Sequence, residues 1–333
     1  MGERVAIIGG GVMGRNHART IRGFEGVRIS HVIDADMSRA DELARSFGDE
    51  ETRVSDAIAG INLETTDAAI IASPSQYHEE QAHALIEAGV HVLIEKPVAE
   101  SPESALEIGE AARKMGVVAM AGHIELFNPT IHSLIALLKN EQIREMSFER
   151  LGSVPDASRL YHDVVSDLML HDIAIAIRIL DQSSMSSDGE VMTTITRNDT
   201  VASPDPARAT IRFNSVDAHF RASRAYPAGK VRRAIVETGN KIFTADLLAR
   251  DVQTTSANSA AYTPDGVLTE DTFNTRYFPQ ESMQPLTIEQ RHFIASIKGE
   301  ALPEDAGVSL RDAAKVLRFT REILDLSSRL PLR

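Results

Sequence analysis

The chain has 333 residues, 43% of them hydrophobic, and a formal net charge of −13 at pH 7. That length exceeds what one hydrophobic core usually organises and calls for two domains, while the acidic surplus opposes binding to nucleic acid or an anionic membrane face and leaves a small molecule as the expected partner. Cysteine is absent, which excludes a disulfide framework, a thiolate metal site and a cysteine nucleophile.

Val5 to Ile8 read as a buried strand that runs straight into Gly9-Gly10-Gly11-Val12-Met13-Gly14, which opens a helix; Asp34 follows twenty positions after Gly14. Gly9 serves the tight turn, Gly11 lets backbone approach a pyrophosphate, Gly14 lets helix and strand pack closely, and the helix N-terminus offers unpaired N–H groups to the anion, with Val12 and Met13 in its first turn. Asp34 is placed to accept hydrogen bonds from a ribose 2′-OH. The cofactor expected is therefore NAD, with NADP open because Arg39 could meet a 2′-phosphate. No apolar leader precedes the glycine turn and no stretch approaches the ~20 apolar residues of a membrane span, so a soluble, cytoplasmic protein is expected.

Arg28 to Ile33 reads as the next strand and Ser38 to Phe47 as a helix stopped by Gly48. A strand over Asp67 to Ala72, a helix over Gln76 to Ala88, a strand over Val90 to Ile94, a helix capped by Ser101 with Pro102 at its first position, and a strand over Val117 to Ala121 continue the alternation. Strands apolar on both faces, alternating with helices, specify a parallel sheet covered on both sides.

Beyond Gly122 the pattern changes. Helices are expected over Pro129 to Lys139 and Val164 to Leu180, with a strand near Arg144 to Arg150 between them. Five segments of alternating polarity follow: Glu190 to Arg197, Ala207 to Phe213, Val216 to Arg224, Val231 to Glu237 and Lys241 to Leu247. They read as an antiparallel sheet with one exposed face. Thr254 to Pro264 reads as a polar loop, and helices over Thr287 to Lys298 and Leu310 to Leu326 close the chain. The fold expected is α/β: a dinucleotide-binding Rossmann domain over 1–122, then an α+β domain over 123–333 with a large open, mainly antiparallel sheet. Ile211, Phe213 and Phe220 on an uncovered face would favour self-association as a dimer or tetramer.

Two further constellations carry chemistry. Glu95-Lys96-Pro97 ends a strand at the carboxyl edge of the parallel sheet, where open α/β folds hold ligands, and a cis bond at Pro97 would aim the ammonium inward. An isolated tripeptide of this kind would otherwise be an ordinary strand-end turn. Asp167 and His171 stand four apart in a helical stretch, so a carboxylate can orient an imidazole as a general acid/base requires; the competing reading is a surface ion pair or a core histidine.

Together these segments resemble the Gfo/Idh/MocA oxidoreductases over almost the whole chain. The matching pieces are GGGVMG with Asp34, ASPSQYH from Ala72 to His78, EKP from Glu95 to Pro97, GHIELFNP from Gly122 to Pro129 and DLMLHDI from Asp167 to Ile173. The resemblance implies that Lys96, Asp167 and His171 are catalytic, that Ala72, Ser73, Pro74 and His78 form a loop beside the cofactor, and that Glu95 and Pro97 flank the nicotinamide. It also implies a second domain whose free sheet face commonly makes dimers or tetramers.

Within the family the wording is most similar to the subgroup acting on nucleotide-linked amino sugars, the UDP-N-acetylglucosamine 3-dehydrogenase-like proteins. The chain departs from that subgroup at Leu126 and Ala174, where an arginine and an aspartate are usual. His123, Asn128, Arg159 and Tyr161, with Asp167 and His171, are candidate substrate contacts, and His162 neighbours them. The activity implied is reversible oxidation of a secondary alcohol on a sugar ring, without a metal because the ammonium can polarise. A free polyol or sugar is the alternative substrate, and a non-catalytic nucleotide-binding regulator or a scaffold the alternative of another class.

Overall fold

The computed structural model describes residues 2–152, 163–196, 205–257, 272–279, 283–300 and 307–328. It divides into two compact units, Met1–Phe127 with Met283–Leu317, and Asn128–Ser282 with Arg318–Arg333. A single crossing near residue 122 therefore misses the return of the chain: Met283–Leu317, expected in the second domain, packs with the first. Periodicity finds a helix but not which of two cores its apolar face joins.

In the first unit, β1 (Glu3–Ile8), β2 (Val27–Ile33), β3 (Arg53–Ser55), β4 (Ala68–Ile71), β5 (His91–Glu95) and β6 (Ala119–Gly122) form one sheet in the order β3-β2-β1-β4-β5-β6. Every pairing is parallel. Helices α1 (Val12–Ile21), α2 (Met37–Phe47), α3 (His78–Glu87) and α4 (Pro102–Met115) connect the strands. Val5, Ala6 and Ile7 of β1 and all of β4 are wholly buried, as strands covered on both faces must be. Ser101 caps α4 by accepting the Ser104 N–H, with Pro102 in its first turn, and Gly116 ends it at φ 69°.

Of the strands in this sheet, β3 alone escapes the sequence reading, because three residues carry no periodicity. This order places the reversal of strand direction of growth between β1 and β4, the point at which doubly wound sheets bind ligands. Helix α7 (Pro285–Ile297) packs on α1 within the same unit.

The second unit holds an eight-stranded sheet, in the order β14-β13-β12-β11-β7-β10-β9-β8. Its strands are β7 (Glu145–Leu151), β8 (Glu190–Thr196), β9 (Ala207–Phe213), β10 (Val216–Ser223), β11 (Val231–Glu237), β12 (Lys241–Asp246), β13 (Asp251–Ala257) and β14 (Thr272–Tyr277). All pairings are antiparallel except β7 with β10. Helices α5 (Pro129–Leu138) and α6 (Leu170–Gln182) pack on this sheet.

Two expectations are corrected here. Thr254 to Ala257 belongs to β13 rather than to a loop; Val252 and Thr254 point inward while Gln253 is exposed, so threonines carry the alternation that apolar residues carry elsewhere. The rest of that supposed loop lies outside the described residues. Ile211, Phe213 and Phe220 are buried, not on a free face. Phe213 meets Phe319 of α8 (Leu310–Ser328) edge-on at 5.3 Å, and Phe220 stacks on Phe148 at 5.2 Å. Among the described residues, no helix is long and apolar enough to cross a membrane.

Candidate functional site

The glycine turn, Asp34, the Ala72-Ser73-Pro74 segment and Lys96-Pro97 all leave the carboxyl ends of parallel neighbours β1, β2, β4 and β5. The topology thus gathers them along one edge. Gly9 has φ 100° and a Cβ there would lie 2.5 Å from the Ala72 carbonyl; a Cβ on Gly14 would lie 1.7 Å from the Gly9 carbonyl. Gly11 differs: a Cβ there meets nothing within 4 Å. It stands at the N-cap of α1, where no side chain caps the helix, and Val12 beside it is 72% exposed, with Met13 half-buried. Open space in front of an uncapped helix N-terminus fits a diphosphate.

The Asp34 carboxylate accepts the Gly10 N–H at 2.7 Å and the Asp36 N–H at 2.8 Å. Asp36 caps α2, accepting the Ser38 N–H at 3.0 Å, so Asp34 is not there to start that helix. Its carboxylate instead braces the glycine turn at the end of β2. Arg39 borders the same point, since a Cβ on Gly10 would lie 3.2 Å from both the Arg39 Cβ and an Asp34 carboxylate oxygen.

His78, buried at the start of α3, ties two loops of this edge together: Nδ1 lies 2.8 Å from the Pro97 carbonyl and Nε2 lies 2.8 Å from the Ser73 carbonyl. Ser73 donates to Gln81 at 2.6 Å, and Pro74 is exposed. The Lys96–Pro97 peptide is cis, and both residues are half-buried. Behind them Glu95 is buried; its carboxylate lies 2.9 Å from His17 Nε2 and accepts the Lys96 N–H at 3.1 Å. Burial pushes the Glu95 carboxyl up, but the hydrogen bonds from His17 and Lys96 outweigh it and hold it below the usual carboxylate range.

His123 is buried at the end of β6, its N–H donating to the Ala121 carbonyl at 2.9 Å. Leu126 is buried in the turn that follows.

In the second unit, Asn128 caps α5 by accepting the Thr130 N–H at 3.0 Å. The expected helix from Val164 forms, but its first turn, Val165–Met169, is π-wound and contains Asp167. A π turn changes the direction of each side chain relative to α-helical spacing, and such turns are frequent at functional sites. An Asp167 carboxylate oxygen lies 3.9 Å from the Arg224 guanidinium, which also pairs with Asp205 at 3.3 Å. His171 is 9% exposed. Its neighbour Asp172 takes two hydrogen bonds from the buried Arg150, at 2.9 and 2.8 Å. Ala174 is buried in the same helix, where a carboxylate would need a partner of its own. Arg159, Tyr161 and His162 lie outside the described residues.

Sequence reasoning missed His17 and Arg224. His17 left a signal, three positions beyond Gly14 on the buried face of α1. Arg224 left none, because its partners are distant in sequence.

Residues 3–123 match the sequence model of a family described as "Oxidoreductase family, NAD-binding Rossmann fold", Gfo/Idh/MocA. This part of the chain is similar to that family. A 4-carboxy-2-hydroxymuconate-6-semialdehyde dehydrogenase of Sphingobium sp. is 35% identical over 137 residues, 40% of this chain and 42% of that relative's length. A scyllo-inositol 2-dehydrogenase (NAD(+)) of Bacillus subtilis is 25% identical over 313 residues, 90% of this chain and 87% of the relative. Among solved structures, the UDP-N-acetylglucosamine 3-dehydrogenase of Acidithiobacillus ferrooxidans matches with a TM-score of 0.82 at 22% identity, covering 98% of each chain. That likeness shows a shared fold over nearly the whole chain.

Proposed function

We propose that the protein is a nicotinamide-dependent oxidoreductase that interconverts a secondary alcohol and a ketone on the ring of a nucleotide-linked sugar. The observation that carries this reading is the single edge of the first sheet that gathers the open glycine turn, Asp34 and the Lys96-Pro97 turn. NAD, when bound, supplies the hydride acceptor. Lys96 holds the hydroxyl and stabilises the alkoxide that develops as its proton leaves. His171 takes that proton as general base, and Asp167 orients the imidazole and offsets its charge. The similarity of GHIELFNP and DLMLHDI to nucleotide-sugar enzymes, and the fold shared with a UDP-N-acetylglucosamine 3-dehydrogenase, favour the nucleotide-linked substrate. The nearly full-length match to a scyllo-inositol dehydrogenase favours a second reading, a free cyclitol or sugar.

Absorbance of the reduced nicotinamide across a panel of nucleotide sugars, free sugars and inositols decides between them. Turnover with a nucleotide sugar supports the first reading and turnover with inositols alone the second; nucleotide binding without turnover of any of them would leave a regulator rather than an enzyme. We place this activity in the cytoplasm and assign self-association to the outer face of the second sheet, where Ile195 is 58% exposed and Ile242 41% exposed. Light scattering that reports only monomer overturns the latter.

Asp34 sets the cofactor. Its carboxylate would repel a 2′-phosphate while Arg39 stands ready to accept one, so Asp34→Asn should lower the ratio of NADPH to NADH dissociation constants by about tenfold, equivalent to about 1.4 kcal/mol. Fluorescence titration with both nucleotides checks this, and an unchanged ratio removes Asp34 from cofactor selection.

A further inference from the structure

Glu289 lies on α7 with no exposed surface, and neither of its carboxyl oxygens has a hydrogen-bond partner among the described residues. An ionised carboxylate in that position would be an uncompensated buried charge. Its neighbour Gln290, equally buried, donates its amide to His17 Nδ1 at 2.8 Å and to the His17 carbonyl at 3.2 Å. A carbonyl can only accept, so the amide nitrogen is the atom facing the ring; Nδ1 then accepts, and the remaining ring N–H, on Nε2, donates to Glu95. Glu95 is thereby the anion of the cluster, and Glu289 feels it.

Burial, and then repulsion from Glu95, push the Glu289 carboxyl well above its ordinary range. The elements packed against α7 bring few other charges. From α1 come Arg15, His17 and Arg19, and from the Ile124–Phe127 turn Glu125; Glu95, with Lys96 after it, joins them through its bond to His17. On α7 itself, Arg291 lies over the Phe24 ring, and His292 accepts the Gly307 N–H and meets Phe127. Of all these, Glu95 is the one that acts on the Glu289 charge.

We propose that Glu289 is a positioning residue for the Lys96 turn: buried next to Gln290, which holds His17, it must remain uncharged for the Glu95 carboxylate to keep its two donors, His17 Nε2 and the Lys96 N–H. Ionised, it would drive Glu95 from those donors and loosen the turn that carries Lys96. The kinetic consequence rests on the oxidoreductase reading; the effects on stability and nucleotide binding do not.

Wild type, Glu289→Gln and Glu289→Leu are melted from pH 5 to 9 and titrated with NADH over the same range. A group whose folded-state value is raised contributes stability that is fully present below the ordinary 4.5 of a free glutamate and is lost as pH rises through the folded value. The wild-type Tm should therefore fall behind that of Glu289→Gln as pH rises, the gap widening by at least about 3 °C between pH 5 and 9. NADH affinity should weaken with rising pH in wild type but not in Glu289→Gln. Glu289→Leu, which cannot ionise either, should likewise show no weakening of NADH affinity as pH rises. With a substrate from the panel, the alkaline limb of kcat should move upward in Glu289→Gln with KM within about twofold.

A Tm gap that stays flat across the range, or NADH affinities that share one pH dependence in wild type and Glu289→Gln, overturns the proposal. Failure of Glu289→Gln to fold does so equally, because an amide reproduces the shape of the neutral acid. If no substrate turns over, the oxidoreductase reading fails, while melting and NADH binding still decide the role of Glu289.

Discussion

Alanine in place of Lys96 or His171 is expected to cut turnover by about two to four orders of magnitude, while NADH affinity changes by less than about threefold. Each decade is worth about 1.4 kcal/mol of barrier, so either side chain is being asked for roughly 3 to 6 kcal/mol, the range that a positioned proton acceptor or a partly desolvated cation supplies. The two losses should differ in their pH signature. Without His171 the rate should climb with hydroxide, because solvent must take the hydroxyl proton; without Lys96 the alkoxide loses its counter-charge at every pH. Lys96→Arg should recover little, since the planar guanidinium is not a substitute for a compact ammonium in a half-buried turn. Circular dichroism and melting separate chemistry from folding, a needed control for His171, which is 9% exposed. Full turnover in both alanine variants would falsify the catalytic assignment.

The first unit was legible because its physics is local. A strand buried on both faces must be apolar throughout, as Ala68 to Ile71 is, and a turn that needs Gly9 and Gly14 announces itself in any sequence. The cap at Ser101 and the edge position of Lys96 followed from the same local rules. What escaped depends on distant partners. Glu289 carries no signal in the sequence, because only the return of the chain brings its helix into the first unit and buries it there. Arg224 becomes notable only when Asp205 and Asp167 are its neighbours. The inward turn of Phe213 and Phe220 was misread for a related reason: alternation shows that a strand has two faces but not which one the helices cover. Strand β13 was lost because threonine serves equally in a loop and on a pleated surface.

Gly14→Ala and Gly11→Ala should fail in opposite ways, although the substitutions are chemically identical and three residues apart. A methyl group on Gly14 would sit 1.7 Å from the Gly9 carbonyl oxygen, a backbone atom that cannot swing aside. Helix α1 would have to lift from β1, against strands in which Val5, Ala6 and Ile7 have no exposed surface. A loss of about 3 kcal/mol or more, roughly 6–12 °C in Tm, is expected, with nucleotide binding lost in consequence. Gly11 has φ −68° and ψ −167°, open to any residue, and nothing within 4 Å of an added Cβ. Its replacement should cost only about 0.5 to 1 kcal/mol as a helix cap. The methyl would instead fill the space through which a pyrophosphate reaches the helix N-terminus, and NADH affinity should fall about 10- to 100-fold. Melting and NADH titration of both variants test the pair together. A Gly11→Ala protein that binds NADH like wild type would move the diphosphate away from this helix end and take the dinucleotide reading of the edge with it.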